Sequence, residues 1–213
     1  MNGRVWIFDL DNTLHNATPH IFPHINRSMT AYLQEHLQLD EAAANALRED
    51  YWQRYGATLS GLMKHHGTDP DHFLWHTHQF PALHNMVLRE PRLRRALRQL
   101  PGKKLVYSNA PEHYARAVLK LLQVDDLFDD VFALEHARYR PKPQWQGFVR
   151  LMRKHRLQRG QCVMVEDSVD NLRTAKRLGM KTVWVSSAPR PPGWVDVKIG
   201  DVLELPRILA RLN

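Results

Sequence analysis

From about residue 90 onward, short apolar segments alternate with longer segments whose apolar residues recur at helical spacing. The helical segments lie at about 91–100, 111–123, 143–155, 169–179 and 202–212. The strand-like segments are KKLVYS (103–108), VFAL (131–134), QCVMVED (161–167), KTVWVS (181–186) and, more weakly, DVKIG (196–200). Strands that alternate with helices are typical of a parallel sheet with helices on both faces. We therefore predict a doubly wound α/β fold with right-handed crossovers.

Another buried strand is indicated at the start of the chain, at residues 4–9, and a long stretch without strand signals follows it. Between residues 20 and 80, apolar residues recur at helical spacing in four segments, and Asp40 is placed to cap the second of them. We expect a core domain built from residues 1–14 and 89–213, with a helical domain at 15–88 inserted after the first strand.

Composition excludes several classes of protein. No apolar run approaches the roughly 18 residues that a membrane helix needs. Cys162 is the one cysteine, which rules out an internal disulfide and favours a buried, inert thiol. The chain enters its first apolar segment at Val5, which leaves no room for a signal peptide. We expect a cytoplasmic protein, either a monomer or a homodimer, with no membrane partner.

The chain is basic, with a net charge of +8. Such a balance is compatible with an anionic substrate, a membrane surface or a nucleic acid. The basic clusters at 92–98 and 153–156 have the spacing of solvated helix faces, and no nucleic-acid-binding motif accompanies them. We therefore expect a small anionic substrate and no nucleic-acid partner.

Polar residues follow four of the predicted strands. They are Asp9, Asp11, Asn12 and Thr13, then Ser108 and Asn109, then Lys142, and finally Glu166, Asp167, Ser168 and Asp170. Each of them alone is explained by helix capping or by solvation. In an open parallel sheet, however, ligands bind beyond the carboxyl ends of the strands. Their recurrence at four strand ends favours one shared site.

Asp9 and Asp11 pose a problem for a buried strand end. Side chains alternate along a strand, so these two carboxylates point to the same side and repel each other. A hard cation resolves the conflict, because Mg²⁺ takes oxygen ligands and usually retains waters and a substrate phosphate. Asp167, at another strand end, would complete such a site.

In this order, the polar residues resemble the four motifs of phosphatases of the haloacid dehalogenase-like (HAD) superfamily. Residues 9–13 are similar to motif I, DxDxT. Ser108 matches motif II, Lys142 matches motif III, and Glu166-Asp167, with Asp170 further on, resembles motif IV. The resemblance implies a Rossmann-like core with a helical cap in the type-one position, after the first strand.

The resemblance also implies roles for the catalytic residues. Asp9 would be the nucleophile that forms an aspartyl-phosphate. Asp11 would be the general acid and then the general base. Ser108, with Asn109 or nearby backbone amides, would bind the phosphoryl oxygens, and Lys142 would neutralise their charge.

By the same resemblance, Mg²⁺ would be held by Asp9, Asp167 and the backbone carbonyl of Asp11, with Glu166 binding through water. The dehalogenase branch of the superfamily lacks the second motif I aspartate and needs no metal. A halide leaving group needs no proton, so the presence of Asp11 favours phosphate-ester chemistry.

Within the helical insertion, EDYWQRYGATLSGL (49–62) resembles the pyrimidine 5′-nucleotidase subfamily, as do residues 8–25 and 100–122. The recurring positions there are Tyr55, Gly56, Thr58, Leu59, Gly61 and Leu62. Members of the subfamily hydrolyse uridine and cytidine monophosphates. The resemblance therefore implies an enzyme that hydrolyses UMP and CMP to nucleoside and phosphate.

Tyr55, Thr58 and His15 are candidate contacts to the substrate, and Thr58 is equally well placed to cap a helix. Gly56 and Gly61 would allow close approach to a ligand or to the core domain. The chain has thirteen histidines. The pairs at 65–66 and at 76 and 78 raise the question of a transition-metal site, but no completing ligand stands at a recognisable spacing, so exposed histidines are the default.

Three other functions stay open. One is a capped phosphatase that acts on phosphoglycolate or a sugar phosphate. Another is an isomerase of the phosphoglucomutase type, which has the same fold and motifs. The least favoured is a non-catalytic, basic nucleic-acid-binding protein.

Overall fold

A computed structural model describes residues 3–212 and places six parallel strands in one sheet. The strands are β1 (Val5–Phe8), β2 (Lys103–Tyr107), β3 (Asp130–Phe132), β4 (Cys162–Glu166), β5 (Lys181–Val185) and β6 (Val197–Ile199). Their order is β3-β2-β1-β4-β5-β6, so the chain moves outward from β1 first in one direction and then in the other. The predicted α/β fold is confirmed, and the order of the strands reverses between β1 and β4.

Nine α-helices connect and cover the strands of the described chain. They are α1 (Ile21–Leu37), α2 (Glu41–Tyr55), α3 (Thr58–His66), α4 (Pro70–Thr77), α5 (Leu83–Met86), α6 (Pro91–Arg98), α7 (Glu112–Leu121), α8 (Trp145–Lys154) and α9 (Val169–Arg177). Short 3-10 helices occur at Asp125–Leu127 and Arg159–Gln161, and a longer one at Val202–Leu212. None of the described helices is both long and apolar enough to cross a membrane.

The two faces of the sheet bury separate hydrophobic clusters because side chains alternate along each strand. In β1, Trp6 and Phe8 enter one cluster, whereas Val5 and Ile7 enter the other. Cys162 is buried in the second cluster, and burial raises the pKa of its thiol to about 11, as expected for an inert cysteine.

Helices α1 to α5 form the insertion between β1 and β2. Most of their buried residues pack against one another in a third cluster, which includes Leu33 and Leu62. The two ends of the insertion pack against the sheet instead, since Ile21 and Val87 lie in the same cluster as Trp6 and Phe8. The insertion therefore has its own core and is anchored at both ends, while its division from the core domain at residues 15 and 88 remains a prediction.

Local signals account for most of the helix ends. The carboxylate of Asp40 accepts a hydrogen bond from the backbone amide of Ala43 and caps α2, as predicted. Pro111 occupies the cap position before α7 rather than its first turn. The segment at 202–212 is helical, but its geometry is 3-10 and not α, and it contains Pro206, whose missing N–H disfavours the interior of an α-helix.

Candidate active site

The site forms at the carboxyl ends of β1 and β4, where the order of the strands reverses. Phe8 is level with Val106 of β2 and Val165 of β4, so Asp9 emerges between the last residues of the two neighbouring strands. The backbone amide of Asp9 still donates to the carbonyl of Val165 at 3.0 Å. Ligands bind at such switch points in open α/β sheets. The ladder of β1 thus fixes Asp9 at the carboxyl edge of the sheet.

Lys142 reaches the same point from the loop after β3. Its side chain is buried, and Nζ donates to Asp9 Oδ1 at 2.6 Å, to Glu166 Oε2 at 2.8 Å and to the carbonyl of Tyr107 at 2.8 Å. Burial alone lowers the pKa of Lys142, but the two carboxylates outweigh it and hold that pKa above its usual range. Lys142 is therefore a fixed cation against Asp9.

Glu166 is held by hydrogen bonds on both oxygens. Oε1 accepts from the backbone amides of Asp167 and Ser168, each at 3.1 Å. Oε2 accepts from Asn171 Nδ2 at 3.0 Å as well as from Lys142. These four bonds match the four acceptor positions of a carboxylate. Asn171, a residue that the sequence analysis did not single out, thus helps to orient the lysine through Glu166.

Asp9, Glu166 and Asp167 bring one carboxylate oxygen each to within 4.8 Å of one another. Burial, together with the Glu166 carboxylate, raises the pKa of Asp9 to about 7. Burial also raises the pKa of Glu166 to about 7 and that of Asp167 above its usual value. Lys142 supplies one positive charge against three acidic groups. The group therefore has the oxygen donors and the excess negative charge that a divalent cation requires.

Asp11 lies beside this cluster and has partners of its own. Its Oδ1 accepts a hydrogen bond from the hydroxyl of Tyr114 at 2.6 Å and lies 2.9 Å from His15 Nε2. Burial, and then the Asp11 carboxylate, raise the pKa of the Tyr114 hydroxyl, which stays a donor. Tyr114 was not among the predicted site residues, because it lies 103 residues away in the sequence.

The residues after β2 have two different environments. Ser108 is buried, and its Oγ accepts from the amide of Ala110 at 3.0 Å, which leaves the hydroxyl proton to donate elsewhere. Asn109 was predicted to bind phosphate, but its side chain is engaged with the backbone of Lys142. Oδ1 accepts from the lysine amide at 2.7 Å, and Nδ2 donates to the lysine carbonyl at 3.1 Å. Asn109 thus fixes the loop that carries Lys142.

The motif I loop is stiffened in a similar way. Thr13 Oγ1 donates to Asp9 Oδ2 at 3.0 Å. Asn12 has a left-handed backbone, with φ of 62°, and its Oδ1 accepts from the amides of Ala17 and Thr18. Asp170, which followed motif IV in the sequence, is exposed and lies 3.7 Å from Arg173, outside the acidic group.

The predicted cap residues pack within the insertion. The hydroxyl of Tyr55 lies 2.6 Å from His65 Nε2. The interpretation of Thr58 as a cap is wrong, because Ala57 is the capping residue and Thr58 is the first residue of α3. Thr58 is buried, and its hydroxyl donates to the carbonyl of Arg48 in α2 at 3.0 Å. Substrate contacts by Tyr55 and Thr58 remain predictions.

Gly56 and Gly61, in the same segment, have different structural roles. Gly56 ends α2 with φ of 76°, a conformation that favours glycine. At Gly61, an added Cβ would lie 2.2 Å from Cγ of Tyr51, so the close approach that the sequence indicated is to α2 and not to the core domain.

Some histidines lie together in the insertion, whereas others approach the site. The group in the insertion has ring centroids 4.2, 5.2 and 6.1 Å apart and consists of His36, His72 and His76. His15 is buried against Asp11. The ring of His78, at the end of α4, lies 5.7 Å from that of Tyr114, and the exposed Trp75 lies 5.2 Å from His113. These rings form an aromatic surface built jointly by α4 and α7, and Tyr114 at one side of it contacts Asp11.

The chain is similar in sequence to a curated protein over most of its length. The chain is 26% identical over 196 residues to phosphate metabolism protein 8 of Saccharomyces cerevisiae, and the match covers 83% of this chain and 60% of that relative. The chain therefore spans about 60% of the length of this curated relative.

Solved structures share the fold. A HAD phosphatase from Thermococcus onnurineus superposes with a TM-score of 0.64 at 23% identity, covering 98% of each chain. L-2-haloacid dehalogenase from Xanthobacter autotrophicus superposes with a TM-score of 0.61 at 17% identity, again covering 98% of each chain. Both phosphatases and dehalogenases thus have this fold.

The family model of the haloacid dehalogenase-like hydrolases matches residues 4–179, which include Asp9, Ser108, Lys142 and Asp167. The chain belongs to this family of hydrolases.

Proposed function

We propose that the protein is a Mg²⁺-dependent phosphatase that hydrolyses pyrimidine nucleoside 5′-monophosphates through an aspartyl-phosphate. The observation that carries the proposal is the buried pairing of Asp9 with Lys142 at 2.6 Å, with a second carboxylate, Asp11, two residues further on. The lysine opposes the rise in the pKa of Asp9 that burial causes and so favours the ionised, attacking form. The second carboxylate lies close by with different partners. Two carboxylates in different environments can divide nucleophilic and acid–base roles.

In the first step, an oxygen of Asp9 attacks phosphorus, and the bond from phosphorus to the ribose 5′ oxygen breaks. Asp11 gives its proton to that oxygen, so the nucleoside leaves as an alcohol. Lys142 and the hydroxyl of Ser108 offer positive charge and a hydrogen bond to the phosphoryl oxygens. Asp11 is then an ionised carboxylate, ready to accept a proton.

In the second step, Asp11 takes a proton from water, and the water oxygen attacks phosphorus. The bond between phosphorus and the Asp9 oxygen breaks, which releases inorganic phosphate and restores the Asp9 carboxylate. Phosphate then carries the water oxygen, and Asp11 is again protonated for the next cycle.

The acidic group fits a magnesium ion. Asp9, Asp167 and the backbone carbonyl of Asp11 would hold it, and its chemistry is to offset the negative charge of the nucleophile and the phosphoryl group. Because all four acceptor positions of Glu166 are used within the protein, we assign this residue to orienting Lys142 rather than to binding the metal through water.

Asp11 supports the choice of a phosphatase over a dehalogenase, although the fold is common to both. A departing halide needs no proton, whereas a departing ribose oxygen does. Tyr114 and His15 both contact Asp11 and hold its carboxylate in place, which supports a reaction that needs a proton donor.

A nucleotide substrate is supported by the aromatic surface built by α4 and α7. We propose that α1 to α5 act as a cap over the site and that the exposed Trp75, beside His113, offers a face to the base. The resemblance of residues 49–62 to pyrimidine nucleotidases points to the same class of substrate.

The test is a panel of phosphate esters assayed for phosphate release with and without Mg²⁺. UMP and CMP should be turned over well, ribose 5-phosphate and phosphoglycolate less well, and a chelator should abolish release. Glucose 1-phosphate should yield free phosphate and no isomer, and 2-chloropropionate should yield no chloride. Turnover of a small ester without turnover of nucleotides would refute the substrate, and chloride release would refute the phosphatase.

A further inference from the structure

Among residues 3–212, hydrogen bonds reach the Asp11 carboxylate through one oxygen only. Tyr114 donates its hydroxyl proton to Oδ1 at 2.6 Å, and His15 Nε2 lies 2.9 Å from the same atom. No described residue forms a hydrogen bond to Oδ2. In the tautomer of His15 that carries its proton on Nε2, the histidine is a second donor to Oδ1. Two donors on one oxygen leave the other to carry the transferable proton.

The burial of His15 in its contact with Asp11 lowers the stability of the fold. Its side chain is buried, and among the described residues its Nδ1 has no hydrogen-bond partner. A buried polar atom without a partner destabilises the fold, because it has given up its hydrogen bonds to water. A leucine at this position would avoid that cost, so the histidine is best explained by what its Nε2 does for Asp11.

We propose that His15 and Tyr114 are positioning residues that hold Oδ1 of Asp11, so that Oδ2 is the atom that gives the proton to the leaving oxygen. The inference rests on the proposed phosphatase function and requires only an alkyl phosphate substrate, whichever base or sugar that carries. His15 approaches from the motif I loop and Tyr114 from α7, so the two donors fix the carboxylate from separate parts of the chain.

The test uses two substrates that differ in their need for an acid. UMP has a poor leaving group that must be protonated, whereas p-nitrophenyl phosphate has a leaving group that departs without a proton. The value of kcat/KM is compared for both, since it reports the steps up to departure of the leaving group. General acids contribute about 10²- to 10⁴-fold, so we expect Tyr114→Phe to lower the value for UMP about 30-fold and that for p-nitrophenyl phosphate less than about threefold.

Tyr32→Phe is the matched control. Tyr32 is also buried and loses one hydroxyl contact, 2.9 Å to His72, but it lies in the cluster of the insertion away from Asp11. It should leave the ratio between the two substrates unchanged. Equal losses on both substrates in Tyr114→Phe would show a merely structural role and overturn the proposal.

His15 is tested by separating activity from stability. His15→Gln keeps a donor at the position of Nε2 and should retain most of the turnover of UMP. His15→Leu removes the donor and should lower UMP turnover at least tenfold more than p-nitrophenyl phosphate turnover, with a Tm no lower than that of the wild type. A lower Tm with equal losses on both substrates would overturn the role of His15.

A failure of the proposed function would be distinguishable. If the wild type hydrolyses another alkyl ester but not UMP, only the substrate assignment fails, and the same comparison is made with that ester. If the wild type releases phosphate from no ester, the proposed function is refuted, and the positioning roles with it.

Discussion

The carboxyl edge of the sheet and the helical insertion use their distinctive residues in opposite ways. At the sheet edge, the buried Lys142 forms ion pairs with two buried carboxylates, Asp9 and Glu166. In the insertion, Thr58 and Gly61 belong to an equally distinctive segment, yet they serve the packing of α3 on α2.

The two regions differ in how well packing alone explains their residues. Buried charges are costly unless they are paired, so a group of them at strand ends is hard to explain by packing alone. A glycine or threonine between two helices is readily explained by packing. Substitutions at the sheet edge should therefore lower activity, and substitutions in the insertion should lower stability.

Asp9→Asn should produce the largest loss. The amide preserves the volume and the contact distance but cannot attack phosphorus, so turnover should fall by at least about four orders of magnitude. Because Lys142 keeps its contact with Glu166, the free energy of unfolding should change by less than about 1 kcal/mol. Steady-state phosphate release and urea unfolding measure the two quantities. Retention of even one-hundredth of the activity would show that Asp9 is not the nucleophile.

Lys142→Met should lower both activity and stability. Removing a fixed positive charge beside the developing negative charge should lower the rate by about 10²- to 10³-fold. Leaving Asp9 and Glu166 buried without their cation should cost about 3–5 kcal/mol of unfolding free energy.

The double variant Lys142→Met with Glu166→Gln is the control, since it removes one of the orphaned charges. It should recover part of the stability and none of the activity. If the double variant is no more stable than the single one in urea unfolding, the two charges are not coupled as the distances indicate.

Gly61→Ala should lower stability and leave activity unchanged. The new Cβ would lie 2.2 Å from the ring of Tyr51, and such overpacking costs about 3 kcal/mol. Turnover per folded molecule should stay the same, because Gly61 contacts α2 and not the site. Gly160→Ala, where an added Cβ meets no atom within 4 Å, is the matched control. An unchanged melting temperature in Gly61→Ala would mean that α2 and α3 are not held together by this contact.

His78 lies on the border between the two regions, and its effect depends on pH. Burial lowers the pKa of this histidine to about 4, against an ordinary value of 6.5. The unfolded chain therefore binds a proton that the native protein does not bind, and native stability falls as the pH falls from about 6.5 to about 4. Relative to His78→Gln, the wild type should lose up to about 3 kcal/mol of unfolding free energy over that window. Above pH 7 the two proteins should show the same pH dependence.

The measurement is the free energy of unfolding in urea at pH 7.5 and pH 4.5, with His84→Gln as the control, because His84 is exposed on α5. The control should show the same pH dependence as the wild type. If His78→Gln also shows the pH dependence of the wild type, the ring of His78 is solvated. The boundary between insertion and core is then looser than its contacts indicate.

The sequence predicted the sheet well because its signals are local. Alternating strands and helices, and polar residues directly after β1, β2 and β4, follow from spacing along the chain. The roles of Tyr114 and Asn109 were beyond such reasoning, since each depends on a partner 103 or 33 residues away. For Asn171 the signal was local, five residues after Glu166, but nothing in the sequence distinguishes it from an ordinary residue of the first turn of α9.

Thr58→Val tests whether the hydroxyl of Thr58 serves the packing of α3 on α2 or binds the substrate. Valine keeps the shape of threonine but cannot donate to the carbonyl of Arg48, so the free energy of unfolding should fall by about 1 kcal/mol. KM for UMP should stay within about twofold of the wild type if the hydroxyl serves only α2. Thr58→Ser is the matched control, because it retains the hydroxyl and should retain most of the stability. A large rise in KM for UMP in Thr58→Val alone would mean that the hydroxyl turns toward the substrate during catalysis, and the distinctive segment of the insertion would then belong to the site after all.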